Sequence, residues 1–165
     1  MPGSTIGSLG SVIQGQRRRA VATSIQLVFD TANPDRMARF WAEALGYVIQ
    51  PPPPGFDSWE AFLRAQGWPQ ERWDEASAIV DPEGRGPRVF FQRVPEPKTA
   101  KNRFHMDLNV SGPRGTALEE RKARIGVEVE RLKALGATDA RGAIEKDGGY
   151  WVRMNDPEGN EFCVQ

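Results

Sequence analysis

His105 is the only histidine in this chain of 165 residues. Asp107 follows two positions later, in the strand-like stretch "RFHMDLNV". Residues i and i+2 share one face of a strand, so the imidazole and the carboxylate point the same way. The pair could do acid/base work, with Asp107 as a base or as the group that orients the ring; the plainer reading is a pocket-lining histidine. The same spacing joins Glu161 and Cys163 in the terminal "NEFCVQ". Glu161 could serve as a general base or a metal ligand if it faces a cavity, and is otherwise an exposed strand-end residue. Cys163 would need an activating base or cation to act as a nucleophile, and without one it is a small buried hydrophobe. Gln26 stands in the otherwise apolar "TSIQLVF", where a buried amide needs partners, and Gln92 in "VFFQRV" raises the same question. Trp151, in "GYWVRM", is an aromatic able to wall a pocket.

Composition excludes several classes of function. With one histidine, no two-histidine, one-carboxylate iron site can form within one chain. With one cysteine, no disulfide within the chain and no cysteine-based zinc site can form, which fits a reducing, cytoplasmic setting. Lys+Arg and Asp+Glu are both 22, so nothing predicts attraction to nucleic acid or to an anionic membrane. The apolar runs are far shorter than the roughly 20 residues of a membrane span. No nucleic-acid or membrane partner is expected.

The candidate residues must be positioned by elements whose order repeats. Residues 1–21 are rich in Gly and Ser and read as a flexible leader or tag. The "RRR" at Arg17–Arg19 is followed by too short an apolar run for an export signal. Then "TSIQLVF" predicts a strand. "NPDRMARFWAEALG" predicts a helix, with Asn33 as N-cap, Pro34 at its first position, Met37, Phe40, Trp41, Ala44 and Leu45 on one face, and Gly46 ending it. Three strands follow, "YVIQ", "SAIVDPEG" and "PRVFFQRV". Residues 56–75 interrupt them with a short helix capped by Asp57 or Ser58 and an aromatic cluster, Trp59, Phe62, Trp68 and Trp73, that is either a lid or its own small core. The order then begins again: strand "RFHMDLNV", a long helix with Val127, Val129, Leu132 and Leu135 on its apolar face, and strands "ATDARGAIE", "YWVRMNDPEG" and "NEFCVQ". The turn "DPEG" occurs at Asp81 and again at Asp156. Asp, Pro and Gly each favour a turn for its own reason, so one copy is weak evidence; the repeated order gives it meaning.

"FDTANPDRMARFWAEALGY", "VFFQRVPEPKTAKNRFHMDL" and "GGYWVRMNDPEGNEFCV" together resemble the vicinal oxygen chelate superfamily of glyoxalases, bleomycin-resistance proteins and extradiol dioxygenases, and most closely its glyoxalase-like domain proteins. The resemblance implies an α+β fold of two βαβββ modules (22–97, with the helical insertion 56–75, and 102–165) pairing into one domain whose curved mixed sheet surrounds a cavity. It also implies ligand positions on the first and last strand of each module. These fall on Gln26, near Phe90 to Gln92, on His105 and on Cys163, where glutamate is usual and Glu161 stands two residues early. Phe90 and Cys163 then line the substrate cavity beside Gln26, Gln92 and Trp151. Two functions follow as expectations. One is a lyase or isomerase, either metal-free, with His105, Asp107 and Glu161 sharing acid/base work, or with Gln26, His105 and Glu161 holding a divalent Ni, Zn, Mn or Fe ion. The other is a metal-free cavity that sequesters an aromatic or antibiotic-like compound. The single histidine makes an extradiol dioxygenase unexpected. Homodimerisation is expected by family analogy alone.

Overall fold

Alternation sets the first strand. Along β1 (Gln26–Thr31), Leu27, Phe29 and Thr31 turn inward while Gln26, Val28 and Asp30 remain exposed. The computed structural model describes residues 22–165, and the leader assigned to residues 1–21 lies outside them. After β1 the chain enters α1 (Pro34–Leu45), where the Asn33 side chain accepts from the Arg36 N–H at 3.0 Å, the N-cap expected of it. Then come β2 (Val48–Ile49), the short α2 (Trp59–Ala65), a 3-10 turn (Gln70–Arg72), β3 (Ala76–Val80) and β4 (Arg88–Arg93). The second half runs β5 (Asp107–Leu108), α3 (Leu118–Ala134), β6 (Thr138–Lys146), β7 (Gly149–Asn155) and β8 (Glu161–Val164). Among the described residues this makes three α-helices and two four-stranded mixed sheets, ordered β1-β4-β3-β2 and β5-β8-β7-β6. In each, the first and last strands are parallel and the remaining pairs antiparallel, so the second sheet repeats the topology of the first.

Both helices feed one core. Met37, Phe40 and Trp41 of α1 pack on Ile79, Val89 and Phe91 of the first sheet, and Ile125, Val129 and Leu132 of α3 on Met154, Phe162 and Val164 of the second. Trp41 joins the two sides: its ring lies 5.6 Å from Phe29, 5.3 Å from Phe40 and 5.2 Å from Phe162. Arg131 of α3 donates to the carbonyls of Glu43 and Ala44, at 3.0 and 3.2 Å, satisfying the free C-terminal end of α1.

The two DPEG turns share a local design and differ in use. Each Asp side chain accepts backbone N–H groups: Asp81 from Glu83, Arg85 and Gly86, and Asp156 from Glu158 and Asn160. Gly84 and Gly159 close the turns at φ of 67° and 87°, in the region that favours glycine. In the first turn Glu83 meets only Arg85, and both are exposed. In the second, Glu158 accepts the Thr31 hydroxyl at 2.7 Å and the N–H groups of Ala32 and Asn33, both at 2.9 Å, where β1 gives way to α1. Asp156, 2% exposed, also accepts the Trp41 indole N–H at 3.4 Å.

Three sequence expectations need correction in detail. The strand expected over "RFHMDLNV" contracts to Asp107–Leu108, with ladder bonds from Cys163 N–H to the Met106 carbonyl and from Gln165 N–H to the Leu108 carbonyl; His105 precedes it. Val127 is 74% exposed, because Ile125, Val129 and Leu132 define the buried stripe of α3 and position 127 falls between its turns. Ser58, rather than Asp57, caps α2 by accepting from the Ala61 N–H. Residues 56–75 make contacts of their own, with Phe62 edge-on against Phe56 and Trp59, the guanidinium of Arg72 over Trp68 and that of Arg64 over Trp73, and are tied to the first sheet by the Trp59 indole donating to the Gln50 carbonyl and by the Arg93–Asp74 ion pair.

Glu158→Gln removes charge from three hydrogen bonds that tie the halves together, and should cost about 1–3 kcal/mol. Glu83→Gln, the matching change in the first turn, should stay within about 0.5 kcal/mol. Urea denaturation of the two variants checks this, and equal midpoints would refute the different roles assigned to the turns.

Candidate functional site

Each sheet packs one face on its helix and leaves the other open. On the open face of the first sheet, Gln26, Val28 and Asp30 of β1 stand opposite Arg88, Phe90 and Gln92 of β4. Arg88 donates through Nη1 to the Gln26 Oε1 at 2.6 Å and through Nε to the Gln50 Oε1 at 2.7 Å, and its guanidinium lies 5.0 Å from the centre of the Phe90 ring. Burial lowers its pKa. Gln92 donates to the Asp30 carboxylate at 2.7 Å. On the corresponding face of the second sheet, Cys163 stands between Asp107 and Arg153 and is itself buried.

The paired registers show which positions correspond. Ile79 faces Val89 in the first sheet as Met154 faces Phe162 in the second, each pair preceding its own turn. Carrying this across the ladders makes Phe90 the counterpart of Cys163, Gln26 that of His105 and Arg88 that of Glu161. The two halves thus hold opposite charges at one equivalent place.

Two clefts adjoin these faces. The larger, about 510 Å³, runs between β1 and β8 and is lined by Gln26, Val28, Trp41, Phe104, Glu161 and Phe162, among others. The second, about 500 Å³, is lined by His105, Asp107 and the neighbouring backbone, with Ala44 and Leu45 across from them. Gln26 and Glu161 are therefore brought together, as are His105 and Asp107, but in different clefts. Phe90, Gln92, Trp151 and Cys163 line neither of the two.

Glu161 is already engaged. Its carboxylate accepts the Asn102 N–H at 3.0 Å and lies 3.2 Å from the Lys98 ammonium. The Asn102 N–H foremost, with the Glu161 N–H and Lys98 adding to it, holds the carboxyl down at about 2. His105 Nε2 lies 2.8 Å from the Lys101 ammonium, which can only donate. Burial, and then the Asp107 carboxylate, push the Cys163 thiol up, the reverse of an activated nucleophile. A resident divalent ion does not fit this donor set. The Gln26 oxygen is taken by Arg88, the Glu161 carboxylate by Lys98 and Asn102, and His105 belongs to the other cleft. Among the described residues, no three of His, Cys, Asp and Glu are grouped to hold a metal.

Sequence reasoning passed over Arg88, Lys98, Asn102 and Phe104. Arg88 was detectable, since "RVFFQR" places it on the face of Phe90 and Gln92 by strand parity. The linker residues carried no periodic signal.

Glu161 and Asp156 give opposite pH responses. The Glu161 contribution is complete above the ordinary carboxyl range and is lost as pH falls through it toward about 2. Burial raises the Asp156 carboxyl, so its contribution is greatest in acid and is lost as pH rises through its folded value. Glu161→Gln should therefore lose less stability than the parent between pH 6 and pH 3, values chosen to bracket the usual carboxyl pKa of about 4. Parallel loss in urea midpoints at the two pH values would overturn the assignment.

Among curated protein sequences none matches the chain. Solved structures share its fold at low identity. A glyoxalase-related enzyme from Fulvimarina pelagi aligns at 16% identity and a TM-score of 0.53, covering 87% of each chain. A glyoxalase/bleomycin resistance protein/dioxygenase family enzyme from Burkholderia phytofirmans aligns at 14% and 0.51, covering 86% of this chain and 94% of its own. The fosfomycin resistance protein FosX of Listeria monocytogenes aligns at 11% and 0.51, covering 88% and 90%. Residues 26–165, which carry both sheets and the cleft between them, match the model of the Glyoxalase-like domain, and the chain belongs to that family.

Proposed function

We propose that this chain binds a small, largely apolar molecule in the cleft between β1 and β8, without help from a metal. The observation that carries the reading is the composition of that cleft. Its 510 Å³ is walled by Val28, Phe29, Trp41, Phe104 and Phe162, with Gln26, Asp30 and Asn160 at hand to orient a guest. Apolar walls with a few placed polar groups, at about 300–1,000 Å³, are what small-molecule sites use. Sequestration of an aromatic compound fits this arrangement better than a lyase or isomerase reaction. A proton-transfer mechanism needs an acceptor poised near neutral pH. Glu161 is held ionised by Lys98 and Asn102, and His105 and Asp107 line the neighbouring cleft.

Calorimetric titration with indole, phenol and catechol tests the reading before and after treatment with EDTA. At least one should bind, with an affinity indifferent to the chelator. Val28→Asp, which puts a charge on the half-exposed wall of the cleft, should weaken it at least ~10-fold, about 1.4 kcal/mol. Binding that requires added Ni, Zn, Mn or Fe, with the metal lost in His105→Ala and Glu161→Ala, would replace this proposal with the metal-assisted one.

A further inference from the structure

We infer that Arg88 is a preorganised carboxylate anchor, and that the guest of the cleft is an organic acid whose apolar body lies against Val28. This rests on the cleft reading above and names the ligand class it takes.

Of the fourteen arginines among the described residues, six (39, 72, 85, 93, 124 and 131) meet a carboxylate within 3 Å. Arg88, half-buried on the open face of the first sheet, meets none within 4 Å among the described residues. Its partners are two neutral amide oxygens, Gln26 Oε1 and Gln50 Oε1. A guanidinium has five N–H donors, so three remain without an acceptor among the described residues.

Such an environment orients the charge without cancelling it. Gln26 and Gln50 grip the group from two strands and Phe90 supports it from below, which fixes the plane of the fork. A fixed, planar fork is the geometry that takes a carboxylate by two parallel hydrogen bonds, with little ordering left to do on binding. A structural role would call for an acid partner, since a partly desolvated charge left unpaired works against the folded state. Gln26, which holds Arg88, itself lines the cleft, and Val28, next along β1 on the same face, is 51% exposed there. Arg88 and Phe90 stand beside the cleft rather than in its lining, so an acid group on Arg88 sets an apolar body across Val28 into it. At the far end of this face the Asp30 carboxylate, accepting from Gln92, disfavours a second acid on the same guest.

The test compares phenylacetate with its neutral isostere phenylacetamide by calorimetric titration of the full chain, in the parent, Arg88→Gln and Gln50→Ala. Phenylacetate should bind the parent at least ~10-fold tighter than the amide. That preference should vanish in Arg88→Gln and shrink in Gln50→Ala, with no fall in melting temperature for Arg88→Gln. Should Arg88→Gln fail to fold, Arg88→Lys decides: it keeps the charge, loses the fork and should keep at most a small part of the preference. Equal affinity for acid and amide in the parent, or a preference that survives these variants, overturns the anchor while leaving the cleft reading in place. If neither probe binds the parent although indole, phenol or catechol does, the anchor falls alone; if no apolar probe binds, both readings fall.

Discussion

The Glu158 carboxylate, turned back onto the junction of β1 and α1, is the contact around which the two halves are arranged. The chain entering a helix carries N–H groups with no partner inside the helix, and an acceptor must come from elsewhere. Asn33 serves the Arg36 N–H locally, whereas those of Ala32 and Asn33 are met by a residue more than 120 positions away in sequence. With the turn in that place, Asp156 reaches the Trp41 indole and the ring of Phe162 arrives beside it. The cleft between β1 and β8 is the space left on either side of that alignment. Its walls come from both halves, so its shape depends on their docking as much as on either sheet.

The repeat is strict in topology and loose in chemistry. Strand order, parallel pairing of each half's first and last strands and the DPEG turn recur in both halves. The side chains on the open faces do not. Arg88 and Glu161 occupy one equivalent position with opposite charge, and Phe90 and Cys163 another with very different bulk. Backbone geometry constrains the inward-facing residues, because both helices must pack on them. The open faces are released from that requirement and free to diverge toward a ligand.

Strand and helix periodicity made the architecture legible from sequence: the Asn33 cap, the buried stripe of α1 and the repeated turn can all be read along the chain. Parity separated inward from open residues on β1 and from Arg88 to Gln92 on β4, whereas on β8 Phe162, Cys163 and Val164 are all buried. It could not say which cleft an open residue enters. His105 and Glu161 occupy paired positions by register, yet His105 precedes β5 and the two line different spaces. Lys98 and Asn102 of the linker reach Glu161, a contact between segments about 60 residues apart that no local pattern encodes. The same holds for Glu158, which reads as a solvated turn residue until its partners across the molecule are seen.

The segment from Lys98 to Phe104 is at once the covalent join between the halves and a wall of the larger cleft, through Asn102 and Phe104. Loops between repeated units usually tolerate insertion well, because lengthening them costs little entropy. Here added residues would shift Asn102 off Glu161 and move Phe104 with it. Length variation among descendants of this chain should therefore collect in other loops, leaving the junction short, and the choice of guest would drift through substitution in the junction before it drifts through length.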